Sequence, residues 1–467
     1  MSSAREPKAP TRPTSRDYRL TMYRTRHDAA VRRLAASLRG MPADIPVRLA
    51  KPGSNLFRFG GRDRRPGLPV DGLDTVLSID VDARTAEVGG LITYERLVAA
   101  TLPHELMPTV VPQLKTITLG GAVAGLGIES TSFRAGMPHE AVREMDVLTG
   151  SGDVVTVCPG DDLFECFPNS YGTLGYAVRL VIELAPTMPT VALRHVRYVT
   201  GRELFDGLAE HVDDPEVDFC DGVSFTPCES YVTLGRFTIE PGPTSDYTGQ
   251  SIYYRSIRRR DTDRLTVADY LWRWDTDWFW CSAAFGVQNR HLRRFWPVPL
   301  RRSDVYRRLV ALDRRIGLSR RIARARGQRR EAVIQDVEIP LAESASFLDA
   351  FSRHIPIRPV WICPLRSTTA TTPPLYPLTS GTYVNFGFWA TVGLADGQAD
   401  DHHNRLVEQL VIDHGGHKSL YSTVHYDRSQ FWRDYDESAY RQVKKRYDPT
   451  GRLPDLFDKV VGDNATR

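Results

Sequence analysis

Alternation of apolar and polar residues dominates the first 190 residues and predicts short strands, because successive side chains of a strand point to opposite faces. Gly- and Asp-containing turns separate several of these runs, which is typical of hairpins. The predicted strands are Pro46–Ala50, Thr75–Asp80, Thr85–Gly89, Met145–Thr149, Val154–Val157 and Ala177–Leu184, and the predicted helices run from Tyr94, capped by Thr93, to Leu102 and from Asp161 or Asp162 to Phe167. The pattern predicts a compact α+β domain.

The most informative segment between these elements is Thr118–Thr131, which contains Gly120, Gly121, Gly125 and Gly127. Four missing Cβ atoms let backbone N–H groups approach a pyrophosphate or a flavin ring. The spacing is neither G-x-G-x-x-G nor a Walker loop. The segment is therefore either a turn-rich connector or part of a cofactor-binding site built from several loops. The second small-residue turn, at Tyr171–Gly175, favours the cofactor-binding site.

Several motifs along the chain resemble those of one flavoprotein superfamily. These motifs are Val111–Leu114, Thr118–Gly121, Gly125–Ser130, Gly172–Gly175, Val333–Pro340, Val360–Pro364, Leu420–Tyr421, Phe431–Trp432 and Tyr447–Leu453. They resemble the PCMH-type, or vanillyl-alcohol-oxidase-type, FAD-binding oxidoreductases. Within that superfamily the chain is similar to sterol Δ24-reductases and to actinobacterial methylene-fatty-acyl reductases of 10-methyl branched fatty acid synthesis, over roughly residues 40 to 460.

The resemblance implies an α+β fold with a two-subdomain PCMH-type FAD-binding domain, an inserted α+β substrate domain and a C-terminal return to the FAD domain. We expect a disordered tail at 1–16, the FAD-binding domain at 17–190, the substrate domain at 191–415 with a basic aromatic-rich segment at 269–330, and the returning segment at 416–467.

The resemblance also implies a set of FAD-binding residues. They are Lys51, Pro52, Gly53, Ser54, Asn55, Thr118, Leu119, Gly120, Gly121, Gly125, Gly127, Ile128, Glu129, Ser130, Gly172, Thr173, Gly175 and Ile182. Many relatives attach the flavin covalently through an early His or a later Cys, but the range 51–103 contains no His and the range 119–157 contains no Cys. We therefore expect FAD to be bound noncovalently. No second nucleotide motif is present, so electrons arrive either from NAD(P)H that visits the flavin directly, with NADPH as the expected donor, or from a protein donor.

Charge is concentrated in the middle of the chain. Residues 290–330 carry fifteen arginines and only two acids, a net charge of +13 that leaves −9 for the rest of the chain. Ser303 can cap a helix on which Val305, Leu309, Leu312 and Ile316 share one face.

A basic amphipathic helix near the four tryptophans of 269–280 is typical of binding to an anionic membrane surface. The alternative is that the arginines pair with acids elsewhere in the chain and that the tryptophans belong to the core. No helix-turn-helix, RRM or zinc-finger pattern supports nucleic-acid binding, and no ligand spacing predicts a metal site.

Reduction of an isolated C=C bond needs a hydride from the flavin and a proton from a positioned acid. Strand alternation places Asp336 and Glu338 on one face, and two carboxyls in an apolar pocket raise each other's pKa. Asp336 is the first candidate for the proton donor, although both residues also fit an ordinary solvent face. Tyr383, Asn385 and His425 are further catalytic candidates.

The expected function is FAD-dependent reduction of a lipid C=C bond, with a 10-methylene fatty acyl chain as the leading substrate. A sterol side-chain Δ24-alkene is the first alternative, and an alcohol or sugar oxidase or dehydrogenase is the second, because the same fold supports each. A flavin-free lipid-surface adaptor is the non-enzyme alternative. Six scattered cysteines and the absence of a signal sequence favour a cytoplasmic protein. The basic amphipathic helix leads us to expect that this protein binds peripherally to the inner face of the plasma membrane.

Overall fold

Two antiparallel sheets organise the chain, one of six strands near the N-terminus and one of eight strands further along. The computed structural model describes residues 15–51, 65–379 and 381–461. The mixture of helices and sheets confirms the expected α+β class.

The first sheet and its helices occupy the chain up to residue 186. The elements are α1 (Ser15–Arg39), β1 (Arg48–Leu49), β2 (Gly67–Leu68), β3 (Val76–Asp80), β4 (Thr85–Gly89), α2 (Tyr94–Thr101), β5 (Leu106–Pro108), α3 (Leu119–Gly125), α4 (Ser132–Ala135), β6 (Val142–Leu148), β7 (Val154–Val157), α5 (Asp162–Cys166) and β8 (Tyr176–Pro186). The sheet order is β3-β4-β8-β6-β7, with β5 paired to β8, while β1 and β2 form a separate parallel pair. Both predicted hairpins, β3–β4 and β6–β7, are confirmed.

The helix α1 was not expected from the sequence. Its residues Ala30, Leu34 and Leu38 recur every four positions, so they lie on one face and are buried against the first domain. Because α1 begins at Ser15, the expected disordered tail over 1–16 is wrong at its last two positions, and residues 1–14 lie outside the described ranges.

The second sheet begins at residue 190. The elements are β9 (Thr190–Tyr198), α6 (Gly201–Asp213), β10 (Phe219–Thr226), β11 (Glu229–Thr238), α7 (Tyr253–Ser256), β12 (Thr262–Thr266), α8 (Val267–Leu271), α9 (Arg290–Arg293), α10 (Ser303–Ile316), α11 (Leu318–Ala325), β13 (Arg329–Pro340), α12 (Ser344–His354), β14 (Val360–Leu365), β15 (Tyr383–Leu394), α13 (His402–Asp413) and β16 (His417–Lys418). The strand order is β12-β9-β11-β10-β14-β15-β13-β16.

The two faces of the eight-stranded sheet have different partners. Val333, Val337 and Ile339 of β13 join a core with α6, α12 and α13 on one face. On the other face, Trp361 and residues of β10 belong to the core that also contains Leu174 and the α3 region. Alternate positions of β13 therefore point either to the helices or toward the first domain.

The chain ends with α14 (Arg428–Asp434), α15 (Glu437–Tyr447) and α16 (Leu456–Val461). Their buried residues, Phe431, Tyr440 and Leu456, belong to the core of the first domain. The end of the chain thus packs beside the elements with which it began.

The predicted helix is present as α10, but Ser303 does not cap its N-terminus as predicted. Arg302 occupies the N-cap position, and no side chain caps the helix. The Ser303 hydroxyl instead donates to Oδ1 of the buried Asp275, at 2.6 Å. The prediction that Ser303 caps this helix is wrong because a buried carboxylate in another segment binds its hydroxyl.

Candidate active site between the two sheets

The glycine segment is more tightly packed than its composition suggested. Its first half is the short helix α3, not an open loop. The amides of Leu119 and Gly120 donate to the carbonyl oxygens of Ile92 and Gly90, at 2.9 and 2.8 Å. A Cβ atom on Gly120 would lie 2.7 Å from the Gly90 oxygen. Gly120 is therefore required for close backbone packing, and these two amides are already bound within the protein.

The second glycine turn is also packed within the protein. The Tyr171 ring lies against Gly125, where a Cβ atom would approach it to 2.9 Å. Gly175 has φ +153°, and a Cβ atom there would lie 2.4 Å from Val147. Gly172 has positive φ as well, and the carbonyl of the buried Thr173 accepts a hydrogen bond from Lys444 at 2.7 Å. The turn holds α3 against the C-terminal segment.

Glu129 and Ser130 connect the first domain to the second sheet. The buried Glu129 carboxylate accepts hydrogen bonds from Nε2 and the amide of Gln113, at 2.6 and 2.8 Å. The Ser130 carbonyl accepts from the Cys220 amide at 2.7 Å, and the Tyr270 hydroxyl donates to Ser130 Oγ. Burial raises the pKa of Glu129 well above its ordinary value.

Three other expected cofactor residues also lie in packed surroundings. A Cβ atom on Gly127 would lie 3.1 Å from the rings of Pro112 and Pro138. Ile128 packs against a small core that contains Met137. Ile182 is buried in β8 between β4 and β6.

A positively charged recess lies at the exposed side of α3. Gly121 is exposed, and the described atoms nearest to a Cβ atom there would be those of Thr118 and Nζ of Lys51, the latter at 3.8 Å. Thr116 Oγ1 and Thr118 Oγ1 are buried and have no hydrogen-bond partner among the described residues. Pro52–Asn55 of the expected set lie outside the described residues.

Arg307 of α10 adds a second cation near Lys51, and no pattern in the sequence pointed to this residue. Burial lowers the pKa of Lys51, and the positive charge of Arg307 lowers it further. Burial also lowers the pKa of Arg307. Two partly buried cations beside Gly121, Thr116 and Thr118 fit an anion such as the diphosphate of FAD. Lys51, Thr118 and Gly121 of the expected set therefore lie next to one another.

The two candidate carboxyls lie on the face of β13 that points toward the first domain. Asp336 is opposite Gly387, and Glu338 is opposite Asn385. A Cβ atom on Gly387 would lie 2.5 Å from Asp336 Oδ1, so this glycine makes room for the carboxyl. Asn385 is in turn opposite Cys363 of β14. The structure thus brings Asp336, Glu338 and Asn385 together across neighbouring strands.

Burial controls the protonation of both carboxyls. It raises the pKa of Asp336 to about 7, against the opposing effects of Tyr421 and Asn385. It raises the pKa of Glu338 to about 8, and the negative charge of Asp336 adds to this increase, whereas Tyr376 and Ser419 oppose it. Both groups can therefore carry a proton near neutral pH, as a general acid requires.

Several polar atoms in this group have no hydrogen bond of good geometry from the described residues. They are Oδ1 of Asp336, Oε2 of Glu338 and both side-chain atoms of Asn385. Buried polar atoms ordinarily have partners, and exceptions concentrate where a ligand or water binds. The group is therefore suited to receive a molecule.

Tyr383 and His425 have other surroundings. The Tyr383 hydroxyl shares a hydrogen bond with Thr379 Oγ1 at 2.8 Å. Nδ1 of His425 lies 3.3 Å from Asp401, and the His425 amide donates to Glu408 of α13. Since α13 covers the opposite face of the sheet, the structure does not bring His425 to the carboxyl pair.

Tyr421 was missed as a site residue. It follows the short strand β16, and its hydroxyl accepts a hydrogen bond from Trp389 Nε1 at 3.1 Å. Ser419, two residues earlier, donates to Glu338 Oε1 at 2.9 Å. The segment after β16 thus supplies a neighbour to each carboxyl, although about 80 residues separate them in the chain.

Aromatic side chains form the wall beside Asp336. The ring of Phe279 lies 4.4 Å from Trp389 and 5.5 Å from Trp361, and Trp280 lies 5.5 Å from Trp389. Three of the four tryptophans of 269–280, Trp274, Trp278 and Trp280, are buried. For these residues the core interpretation is therefore right, and a direct membrane contact is wrong.

A buried ion pair between Arg273 and Asp221 holds these aromatic side chains in place. Arg273 donates to Asp221 Oδ2 at 2.8 Å, and the indoles of Trp274 and Trp361 donate to the same oxygen. The fixed indoles belong to a packed apolar core next to the two protonatable carboxyls.

Comparison with known proteins agrees with this geometry. Residues 29–157 match the FAD binding domain family. The chain is 23% identical to the Delta(24)-sterol reductase homolog of Caenorhabditis elegans, over 88% of this chain and 82% of that protein. It is 24% identical to human Delta(24)-sterol reductase, over 82% of this chain and 76% of that protein.

A third relative is a decaprenylphosphoryl-beta-D-ribose oxidase of Mycolicibacterium smegmatis. It is 31% identical over 38% of this chain and 39% of its own length. By their names, two of these relatives are reductases and the third is an oxidase. The chain therefore carries an FAD-binding domain of the PCMH type and is a homologue of the Δ24-sterol reductases, as its motifs indicated.

Proposed function

We propose that this protein is an FAD-dependent reductase of an isolated C=C bond in a lipid chain. The observation that carries the proposal is the pair Asp336 and Glu338, whose pKa values of about 7 and 8 keep a proton available beside a cluster of aromatic, apolar side chains. An isolated alkene has no polarising group, so its reduction depends on such a positioned acid. The names of the reductase relatives support the same reaction type.

FAD held by the first domain and reduced by NADPH would supply a hydride to one alkene carbon. The carboxyl of Asp336 gives its proton to the other carbon and is then reprotonated from solvent, so the product gains two hydrogens and the C=C bond becomes a single bond. Tyr421 and Asn385 hold the Asp336 carboxyl over Gly387. Phe279, Trp361 and Trp389 exclude water from the alkene.

The substrate that we propose is a 10-methylene fatty acyl chain, which is reduced to the 10-methyl chain. A sterol Δ24-alkene is the alternative that the reductase relatives support. For cofactor binding, we propose the recess of Lys51, Thr118, Gly121 and Arg307 as the diphosphate site. The domain with the six-stranded sheet then binds FAD, and the eight-stranded sheet carries the substrate and the proton donor.

The decisive experiment is anaerobic. The flavoprotein is mixed with NADPH, or separately with NADH, and bleaching of the flavin absorption band is recorded. A phospholipid with a 10-methylene acyl chain, a Δ24-sterol or a saturated control lipid is then added. Reoxidation by an alkene and not by the saturated lipid supports the proposal. Reduction of the flavin by an alcohol or a sugar, with reoxidation by O₂ alone, would establish an oxidase instead.

A further inference from the structure

Exposed apolar side chains are concentrated in one part of the molecule. Fourteen large apolar residues are exposed within the described ranges, and seven of them lie between 292 and 322. They are Leu292, Phe295, Val298, Leu300, Leu312, Ile316 and Ile322. We call these seven residues the 292–322 patch. Half of the exposed large apolar residues thus occupy a segment of 31 residues, and such a concentration marks an interaction surface.

The patch residues lie in the segment 292–300, on α10 and on α11, and an aromatic contact joins the first two of these segments. On α10, Leu312 and Ile316 are four residues apart and lie on one exposed face, while Tyr306 and Val310 face inward. The Trp296 ring, in the turn that carries Phe295 and Val298, lies 6.2 Å from Tyr306. The apolar side chains therefore belong to neighbouring parts of one surface.

Exposed arginines alternate with these apolar residues. Arg294, Arg315, Arg321 and Arg326 are exposed, and none forms an ion pair with a carboxylate of the described residues. The Arg294 guanidinium stacks over the Phe295 ring at 4.7 Å. Other arginines of this segment have structural partners, since Arg293 pairs with Asp277 and Arg302 with Glu95. The outward face therefore keeps a strongly positive charge beside its apolar side chains.

The patch also lies over the candidate active site. Tyr306 and Val310 of α10 belong to a small apolar core with Trp296, Ile334 and Tyr421. Ile334 is two residues before Asp336 on the same face of β13, and Tyr421 contacts the Asp336 carboxyl. A continuous apolar core therefore lies between the exposed patch and Asp336. None of the described helices is long and apolar enough to cross a bilayer.

We propose that the 292–322 patch docks the protein on an anionic phospholipid bilayer and that the alkene chain enters from that bilayer through the apolar core beneath the patch. The docking follows from the patch alone, whereas the entry of the chain rests on the proposed function. An anionic bilayer satisfies both features at once, because its headgroups bind arginine and its acyl region receives Phe295 and Leu312. A second copy of this surface would be repelled by its positive charge, and a nucleic acid would leave the apolar side chains in water.

The test is co-sedimentation of the FAD-loaded protein with phosphatidylcholine vesicles that contain or lack phosphatidylglycerol. In the double variant Arg315→Glu/Arg321→Glu, the preference for anionic vesicles should fall at least twentyfold, because each lost arginine reduces that preference about fivefold. In Phe295→Ser/Leu312→Ser binding to both vesicle types should fall about tenfold or more. The matched controls are Arg202→Glu and Ile239→Ser, exposed residues outside the patch. Retained flavin absorbance shows that each variant is folded.

Equal vesicle binding by patch and control variants would overturn the proposal. So would stronger binding of the protein to duplex DNA than to anionic vesicles, or a patch variant that changes the oligomeric state without changing vesicle binding. Entry from the bilayer is tested with one alkene in vesicles and in detergent micelles, where patch variants should lose turnover only with vesicles. Because sedimentation requires no turnover, vesicle binding without alkene reduction would contradict the proposed reaction and leave the docking surface intact.

Discussion

Asp336 and Glu338 are two residues apart on one strand, yet their surroundings give them different tasks. Asp336 is partly exposed and lies over Gly387, whereas Glu338 is fully buried and accepts a hydrogen bond from Ser419. A proton donor must reach the substrate and then recover its proton from solvent. Of the two, the partly exposed Asp336 fits the proposed donor role better, and Glu338, with a pKa of about 8, stays mostly protonated near neutral pH.

Strand alternation was sufficient to predict from the sequence that these two carboxyls share a face, because they belong to one element. Asn385 was predicted as well, but its position opposite Glu338 depends on the register of β15. Tyr421 and Ser419 were missed because their approach depends on the chain path after β16, which no local pattern encodes. His425 was proposed on residue type alone, and its contacts with α13 place it elsewhere.

Replacing Asp336 by Asn should slow alkene-dependent reoxidation of the flavin by about 10²- to 10⁴-fold, the usual contribution of a general acid. Reduction by NADPH should be unchanged, because that step does not use this proton. The wild-type rate should fall as pH rises through about 7, where Asp336 loses its proton. Stopped-flow absorbance measures both half-reactions, with the exposed Asp349→Asn as control. An unaltered reoxidation rate would exclude Asp336 as the donor.

Glu338 should make the stability of the fold depend on pH. Its pKa rises from an ordinary 4.5 to about 8 on folding, so the folded state holds the extra proton between these values. Its contribution is therefore fully present below pH 4.5 and is lost as pH rises to about 8. In Glu338→Gln the melting temperature relative to wild type should increase from pH 5 to pH 9, as measured by calorimetry. The exposed Glu343→Gln is the control, and parallel curves for wild type and Glu338→Gln would contradict this assignment.

At the scale of elements, α10 has two functional faces. Arg302 pairs with Glu95 through two hydrogen bonds of 2.8 Å, and this contact fixes the start of the helix on the first domain. Arg307 then faces Lys51 near α3, while Leu312 and Arg315 point outward. The sequence correctly placed a helix here, but its apolar stripe was interpreted as one continuous face. The structure divides the arginines of residues 290–330 between the inside and the outside of the protein. Arg302 and Arg293 turn inward to pair with Glu95 and Asp277, which lie in other segments of the chain.

Lys51→Ala and Arg307→Ala should each weaken FAD binding by about tenfold, which corresponds to the loss of one charge-assisted hydrogen bond. Fluorescence titration of the flavin-free protein with FAD measures the affinity. Arg315→Ala is the matched control, because it removes an arginine from the outward face of the same helix. If Arg307→Ala binds FAD as tightly as Arg315→Ala, the recess beside Gly121 is not the diphosphate site.

At the scale of the whole molecule, the closing motif Tyr447–Leu453 ties together distant parts of the chain. The Arg452 side chain donates to the carbonyl oxygens of Leu38 and Met41, about 410 residues earlier. Asp448 accepts from the amides of Arg452 and Leu453 and lies against Gly150. The motif was visible in the sequence as a resemblance, whereas its partners could be found only in the fold. The flavin-binding domain is thus completed by residues that follow the second sheet.

Lys444 is the centre of this closure, and its removal tests whether closure and cofactor binding are coupled. Its ammonium group donates to Asp448 and to the carbonyl oxygens of Thr173 and Leu453, at 2.7 to 2.8 Å. Lys444→Met leaves Asp448 without its cation and should cost about 3 kcal/mol, or roughly 3 °C in melting temperature for a chain of this length. Because Thr173 belongs to the turn that holds α3, FAD should be released in the same transition. The exposed neighbour Lys445→Met should change neither quantity. A destabilised Lys444→Met that retains FAD with full affinity would show that the closing motif supports the fold but not the cofactor site.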